Sequence, residues 1–205
     1  MRLLAIETAT TACSVALFEN DRLIAFAHEM VGRGHAERLL PMIAELPDQG
    51  RPDAIVVDCG PGSFTGVRVG VAAARALGLG WEVPVSGYSS TALIAATAFH
   101  EADAPPTLAV VLIGGHGEFF VQRFDGKPMR ALSPLASLLP EAAARDCAGL
   151  PLVGSGAAAL AAVQDSADAR DIVADARQVM ALPEEFRSLP PHPIYGRAPD
   201  ARLPS

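Results

Sequence analysis

Three glycine-rich turns carry most of the chemical potential of this chain. Gly60-Pro61-Gly62-Ser63-Phe64-Thr65-Gly66 joins one apolar run, Ala54 to Cys59, to another, Val67 to Leu79. Glycine reaches backbone angles that other residues resist, and proline fixes its own. Ser63 or Thr65 can cap the first turn of a following helix, whose N–H groups can receive an anion. Ile113-Gly114-Gly115-His116-Gly117 and Gly154-Ser155-Gly156 also follow apolar runs. Glycine there lets a phosphate approach the backbone, although one neutral histidine supplies little charge. Such turns are common in α/β proteins, so none of them names a ligand alone. Ser63, Ser89 and Ser90 lie in no Gly-x-Ser-x-Gly elbow and have no evident His–Asp pairing, which argues against a protease. His28, His35, His100, His116 and His192 show no metal-binding spacing.

Strands and helices must hold these turns. Leu3–Ile6, Cys13–Phe18 and Leu23–Ala27 read as strands, with tight turns at Thr8–Thr11 and Asn20–Asp21. His35–Leu46 reads as a helix, with Ala36, Leu39, Leu40 and Ile43 at i, i+3, i+4, i+7 and with Met42 and Leu46 widening the face. Strand Ala54–Cys59, helix Val67–Leu79, strand Val83–Tyr88 and helix Thr91–Phe99 complete a first lobe over residues 1–103. Ala102 to Pro106 reads as a hinge. A second lobe over 104–205 opens with strands Leu108–Ile113 and Phe119–Phe124 around the Gly114–Gly117 turn. It continues with a hairpin turn at Asp125-Gly126, a helix over Leu135–Ala144, a short strand at Leu152-Val153 and an alanine-rich helix. Prolines accumulate after Ala181, which predicts an extended surface segment to Ser205. Both lobes begin with a hairpin around a small-residue turn, as a duplicated fold would.

The 205 residues suffice for one large domain or two small lobes, and half are hydrophobic with 19% charged, a globular balance. Net charge of −7 makes the chain a poor stand-alone binder of RNA, whose phosphates dominate affinity. Cys13, Cys59 and Cys147 are odd in number and far apart, which predicts buried reduced thiols and a cytoplasmic home. The apolar run after Arg2 is broken by Glu7, so no signal peptide is expected, and no apolar stretch has the length of a membrane span.

Ile6-Glu7-Thr8-Ala9-Thr10, His35-Ala36-Glu37-Arg38-Leu39-Leu40-Pro41, Gly60 to Gly66 and Val83-Pro84-Val85-Ser86-Gly87-Tyr88-Ser89-Ser90 resemble the bacterial TsaB (YeaZ) family. The tail Tyr195-Gly196-Arg197-Ala198-Pro199-Asp200 is similar too. The match is dense over the first half and sparse afterwards. The resemblance implies an α/β, actin-like ATPase (ribonuclease H-like) fold, two lobes each with a mixed sheet flanked by helices. It implies a non-catalytic role in making threonylcarbamoyladenosine in tRNA, as partner of the paralogous transferase TsaD, with TsaE joining them. Contact with tRNA would be indirect, and a homodimer is the other pairing.

The resemblance also implies that the helices at 36–46 and 66–79 bundle with TsaD or a second copy. The candidate partner-facing residues are Ala36, Leu39, Leu40, Met42, Ile43, Leu46, Gly66, Arg68, Gly70, Ala73 and Ala74, with Arg75 flanking. Gly66, Gly70 and Ala73 or Ala74 form a small-residue ridge; each helical glycine costs on the order of 1 kcal/mol relative to alanine, tolerable where another backbone packs close. At least one of Leu39, Met42 and Ile43 is expected to stay exposed. The alternative is that both helices simply cover the sheet. TsaD carries two histidines four apart on a helix, where this chain has Ser90 and Ile94, so no metal is expected. Glu7 and Thr8 occupy the family's first phosphate-turn position. Gly114, Gly115 and His116 look like the phosphate turn of TsaD, with Ile113 and Gly117 replacing its hydroxyl residues. Gly154 and Gly156 resemble the superfamily's adenosine-side turn. ATP hydrolysis needs carboxylates that hold Mg²⁺ and orient water, and no second one is evident in the second lobe. No cofactor is therefore required, while a weak or interface nucleotide stays open. The rival reading is a stand-alone small actin-like ATPase or acyltransferase acting through Glu7 and the Gly114–Gly117 turn.

Overall fold

The computed structural model describes residues 1–164 and 168–196. The first sheet is built from β1 (Arg2–Glu7), β2 (Ala12–Glu19), β3 (Arg22–Met30), β4 (Ala54–Asp58) and β5 (Val85–Tyr88), in the order β3-β2-β1-β4-β5. The three N-terminal strands meander antiparallel, whereas β4 and β5 join in parallel. Residues 4–7 of β1 and 55–58 of β4 are buried in unbroken runs. Sheets covered on both faces read this way, and helices supply the cover. They are α1 (His35–Ala44) and α2 (Phe64–Trp81) on one face and α3 (Ser90–Phe99) on the other.

The second sheet repeats the opening. β6 (Thr107–Ile113) and β7 (Phe119–Gly126) form an antiparallel hairpin, and β10 (Leu152–Val153) adds to β6 in parallel, as β4 adds to β1. β8 (Met129–Ala131), β9 (Ala136–Leu138) and β11 (Ala169–Arg170) complete it, with α4 (Pro140–Asp146) and α5 (Ala157–Gln164) on its far side. The central layer is α3, buried along nearly its whole length against Ala5, Val56, Leu108, Val110 and Phe124. A helix apolar all round belongs in such a layer.

Three local expectations change. Asp125 and Gly126 lie inside β7, and the reversal occurs at Lys127-Pro128, with Gly126 opposite Met129. Gly126 serves a close approach instead: a Cβ there would stand 2.7 Å from the Phe99 ring. The expected helix over Leu135–Ala144 splits into β9, paired with β7, and α4, which opens on Pro140 where a missing N–H is harmless. The segment after Ala181 is not simply laid on the surface. Leu182 is buried, Leu189 exchanges two hydrogen bonds with Gly87, and Ile194 N donates to Cys59 O at 2.7 Å. Just before it, Ala176 N donates to Ser14 Oγ at 3.0 Å, so the chain returns across the first sheet. Arg197 to Asp200 of the tail motif lie outside the described residues. All three cysteines are buried free thiols, and burial pushes each up to about 12. Among the described residues no helix is long and apolar enough to cross a membrane.

Candidate functional site

The turn between β1 and β2 is closed from within. Glu7 Oε1 accepts from Ala9 N at 2.7 Å and Thr10 N at 2.9 Å, so the carboxylate takes backbone donors of the turn. Thr8 Oγ1 donates to Gly66 O at 2.8 Å. His35, buried at the start of α1, places Nε2 3.0 Å from both Thr10 O and Ala12 O and braces the other side. The small residues of α2 fit against the same turn. A Cβ on Gly62 would stand 2.2 Å from Ala9 O, on Gly66 2.0 Å from Thr8 O, and on Gly70 2.3 Å from Thr8 Oγ1. The glycine ridge therefore seats this chain's own turn, not a partner helix. Of the two candidate caps for α2, Ser63 serves, accepting from Gly66 N at 3.2 Å.

Asp58, which the sequence did not single out, lies beside Glu7 at the ends of adjacent parallel strands, since Ile6 pairs Val57. Both side chains are fully buried. Asp58 Oδ1 accepts from Gly60 N at 2.7 Å and Ser90 Oγ at 2.8 Å, while Oδ2 has no partner among the described residues. Burial pushes Asp58 up to about 7, against the lowering effect of those two donors. Burial and then the Asp58 charge hold Glu7 well above the usual carboxylate range. Tyr88 OH, which donates to Ile6 O at 3.0 Å, is likewise raised by burial. Ser90 thus anchors Asp58, and Ile94 is fully buried in the central layer.

The other glycine turns part company. Gly114, Gly115 and His116 line a cleft of about 680 Å³ between the lobes, together with the first turn of α2 and residues 193–196. Gly114 N donates to Glu118 O at 2.8 Å, closing a tight turn with His116 and Gly117 at positive φ. Across the cleft the Arg68 guanidinium lies 3.6 Å from the centre of the Phe64 ring. Its Nε and Nη2 donate to Tyr195 OH at 3.2 and 3.1 Å. Gly154 and Gly156 line no part of the cleft. They press against β6 and β7, where a Cβ would meet Val111 O at 2.6 Å and the Phe119 ring at 2.9 Å. The predicted nucleotide set is not assembled: Glu7, Thr8, Gly154 and Gly156 are committed to internal contacts, and only the 114–116 turn faces open space. The residues do not fit a bound nucleoside triphosphate.

The helical candidates divide by exposure. Leu39, Met42, Ile43 and Leu46 are all buried in the core beneath α1, so none of the first three stays exposed as expected. The periodicity was sound but its phase was one residue off: the inward stripe begins at His35, and Ala36 and Leu40 face outward. Leu40 is 51% exposed. On α2, Gly66, Gly70 and Ala74 are buried and Ala73 is half-buried, whereas Ala72, Arg75, Ala76 and Leu79 are exposed, Leu79 by 83%. α1 packs beside α2, so these outward residues occupy neighbouring helices.

Comparison with known proteins places this architecture. The family model described as tRNA N6-adenosine threonylcarbamoyltransferase (TsaD) matches residues 26–166. The chain is 42% identical over 116 residues to the tRNA threonylcarbamoyladenosine biosynthesis protein TsaB of Escherichia coli, covering 54% of this chain and 50% of that one. It is 40% identical over 116 residues to TsaB of Haemophilus influenzae, covering 54% and 49%. The chain thus spans about half the length of the curated relatives it matches. The solved structure of YeaZ from Pseudomonas aeruginosa superposes with a TM-score of 0.74 at 30% identity, covering 88% of this chain and 89% of that one. The two sheets and their flanking helices form the two-lobed actin-like ATPase fold. With that coverage and identity, the chain belongs to the TsaB (YeaZ) family.

Proposed function

We propose that this chain is a non-catalytic scaffold subunit in the biosynthesis of threonylcarbamoyladenosine in tRNA, docking the transferase TsaD and, with it, TsaE. The observation that carries this reading is the closed β1–β2 turn. A phosphate turn must present free donors, and here Glu7 and Gly66 take those of Ala9, Thr10 and Thr8. The names of the similar proteins support the pathway, and the exposed outer faces of α1 and α2 offer the docking surface. Leu40 and Leu79 are its apolar anchors, with Ala36, Ala72, Ala76 and Arg75 around them. A second copy of the chain could pair through the same faces. The acidic chain would meet tRNA only through its partner, in the cytoplasm. The stand-alone ATPase reading loses support because Glu7, its first carboxylate, is buried and spent. Co-elution with TsaD of the same organism tests the proposal: wild type is expected to form a complex, and the Leu40→Asp, Leu79→Asp double variant to remain folded but elute alone. Equal complex formation by both would reject this docking face.

A further inference from the structure

We propose that the cleft between the lobes is a binding site for a small aromatic or branched-aliphatic molecule that carries one carboxylate. The cleft holds about 680 Å³, within the roughly 300–1,000 Å³ typical of small-molecule sites. Phe64, Val67, Ile113, Phe120, Ile194 and Tyr195 give it apolar walls from both lobes and the returning tail. Three of them are far more open than residues of their type usually are: Phe64 is 60% exposed, Ile113 63% and Tyr195 55%. Apolar exposure gathered on facing walls marks a ligand or partner surface.

The charge pattern selects the ligand. Among the described residues, Arg68 pairs with no carboxylate. Its guanidinium is already oriented, stacked on Phe64 with two donors on Tyr195 OH. Nη1 keeps its donors available for a carboxylate, and a charge-assisted bond beside apolar walls is strong. Glu118, the acidic residue of the lining, accepts from Ser137 Oγ at 2.7 Å. One oriented cation in an apolar cleft fits a single negative charge on an apolar body. Several phosphates would need the donors of the β1–β2 turn and the Gly154–Gly156 turn, and neither turn reaches this space. The site is independent of the docking faces, since Phe64 and Arg68 belong to the first turn of α2 and Leu79 to its last.

A fluorescence titration of the full chain with anilinonaphthalene sulfonate, an aromatic monoanion, tests this. Indolepropionate is then compared with indolepropionamide and with AMP as competitors. The expected result is one displaceable site at which the carboxylate competes about tenfold better than its amide, as loss of a charge-assisted bond implies. Arg68→Gln should erase that preference, and Phe64→Ala should weaken both indoles, each with an unchanged melting temperature because both side chains are exposed. Equal competition by acid and amide in the wild type would overturn the proposal. So would an unaltered preference in Arg68→Gln, or competition by AMP stronger than by the carboxylate, which would mark a phosphate site instead.

Discussion

Replacing Asp58 by asparagine should stabilise this protein in mildly alkaline solution and remove much of its pH dependence. In the folded state Asp58 is fully buried, one oxygen lacks a partner, and burial raises its pKa from 3.8 to about 7. The folded state therefore binds a proton more tightly than the unfolded one. Stability from this group is fully present below pH 4, is lost as pH rises toward 7, and stays lost above it. At about 1.4 kcal/mol per unit, the charged form weighs against folding by about 4 kcal/mol at pH 8. Glu7 shifts in the same direction and adds to the slope. Asparagine keeps an acceptor for Gly60 N and Ser90 Oγ, carries no charge, and brings an amide hydrogen whose burial costs about 1–3 kcal/mol if unpaired. The balance at pH 8 is a gain of about 2 kcal/mol; at pH 5, where Asp58 is already protonated, the gain vanishes. Urea unfolding followed by circular dichroism at both pH values measures this. A variant less stable than wild type at pH 8, or a wild type more stable at pH 8 than at pH 5, would refute the reasoning.

Gly66→Ala should destabilise more than Gly70→Ala, because its Cβ would meet backbone Thr8 O at 2.0 Å and the latter's a movable hydroxyl at 2.3 Å. Thermal melts should show losses of about 3 and 1–2 kcal/mol respectively, the range of overpacking strain. Leu39→Ala, fully inside the first core, should lose about 2–5 kcal/mol in urea unfolding, whereas Leu40→Ala on the exposed face should change stability by under about 0.5 kcal/mol. Cys13, Cys59 and Cys147 should resist a thiol reagent in the native state and react together on unfolding, since each is buried with its thiol pushed up to about 12.

The strands were legible because their apolar runs and short turns are local signals. The meander of β1 to β3, the β4–α2–β5 unit and the second hairpin could all be read from residue pattern alone. The phase of α1 was less so, because Ala36 and Leu40 make as good an apolar stripe as His35 and Met42 until His35 is known to brace the Thr10–Ala12 backbone. Gly126 misled through its type: a glycine under an aromatic ring looks in sequence like a turn. Gly66 and Gly70 did signal a close backbone approach, but not whose backbone; only the fold brings Thr8 there. Asp58 was missed because a carboxylate ending an apolar strand acquires meaning only when the parallel register sets it beside Glu7. The cleft was half legible, in the Gly114–His116 turn. Its other half, Arg68 over Phe64 with Tyr195, joins residues more than a hundred positions apart.

The most direct test of the proposed scaffold role is modification of tRNA reconstituted with TsaD and TsaE of the same organism, comparing wild type, Glu7→Gln and the Leu40→Asp, Leu79→Asp double variant. Because the Glu7 carboxyl is held well above the usual range, glutamine is a close mimic of its protonated form and the fold should stand. A scaffold predicts modification at wild-type level with Glu7→Gln and loss of both complex and modification with the double variant. Modification abolished by Glu7→Gln in an intact, folded complex would contradict it and make Glu7 a participant in the chemistry.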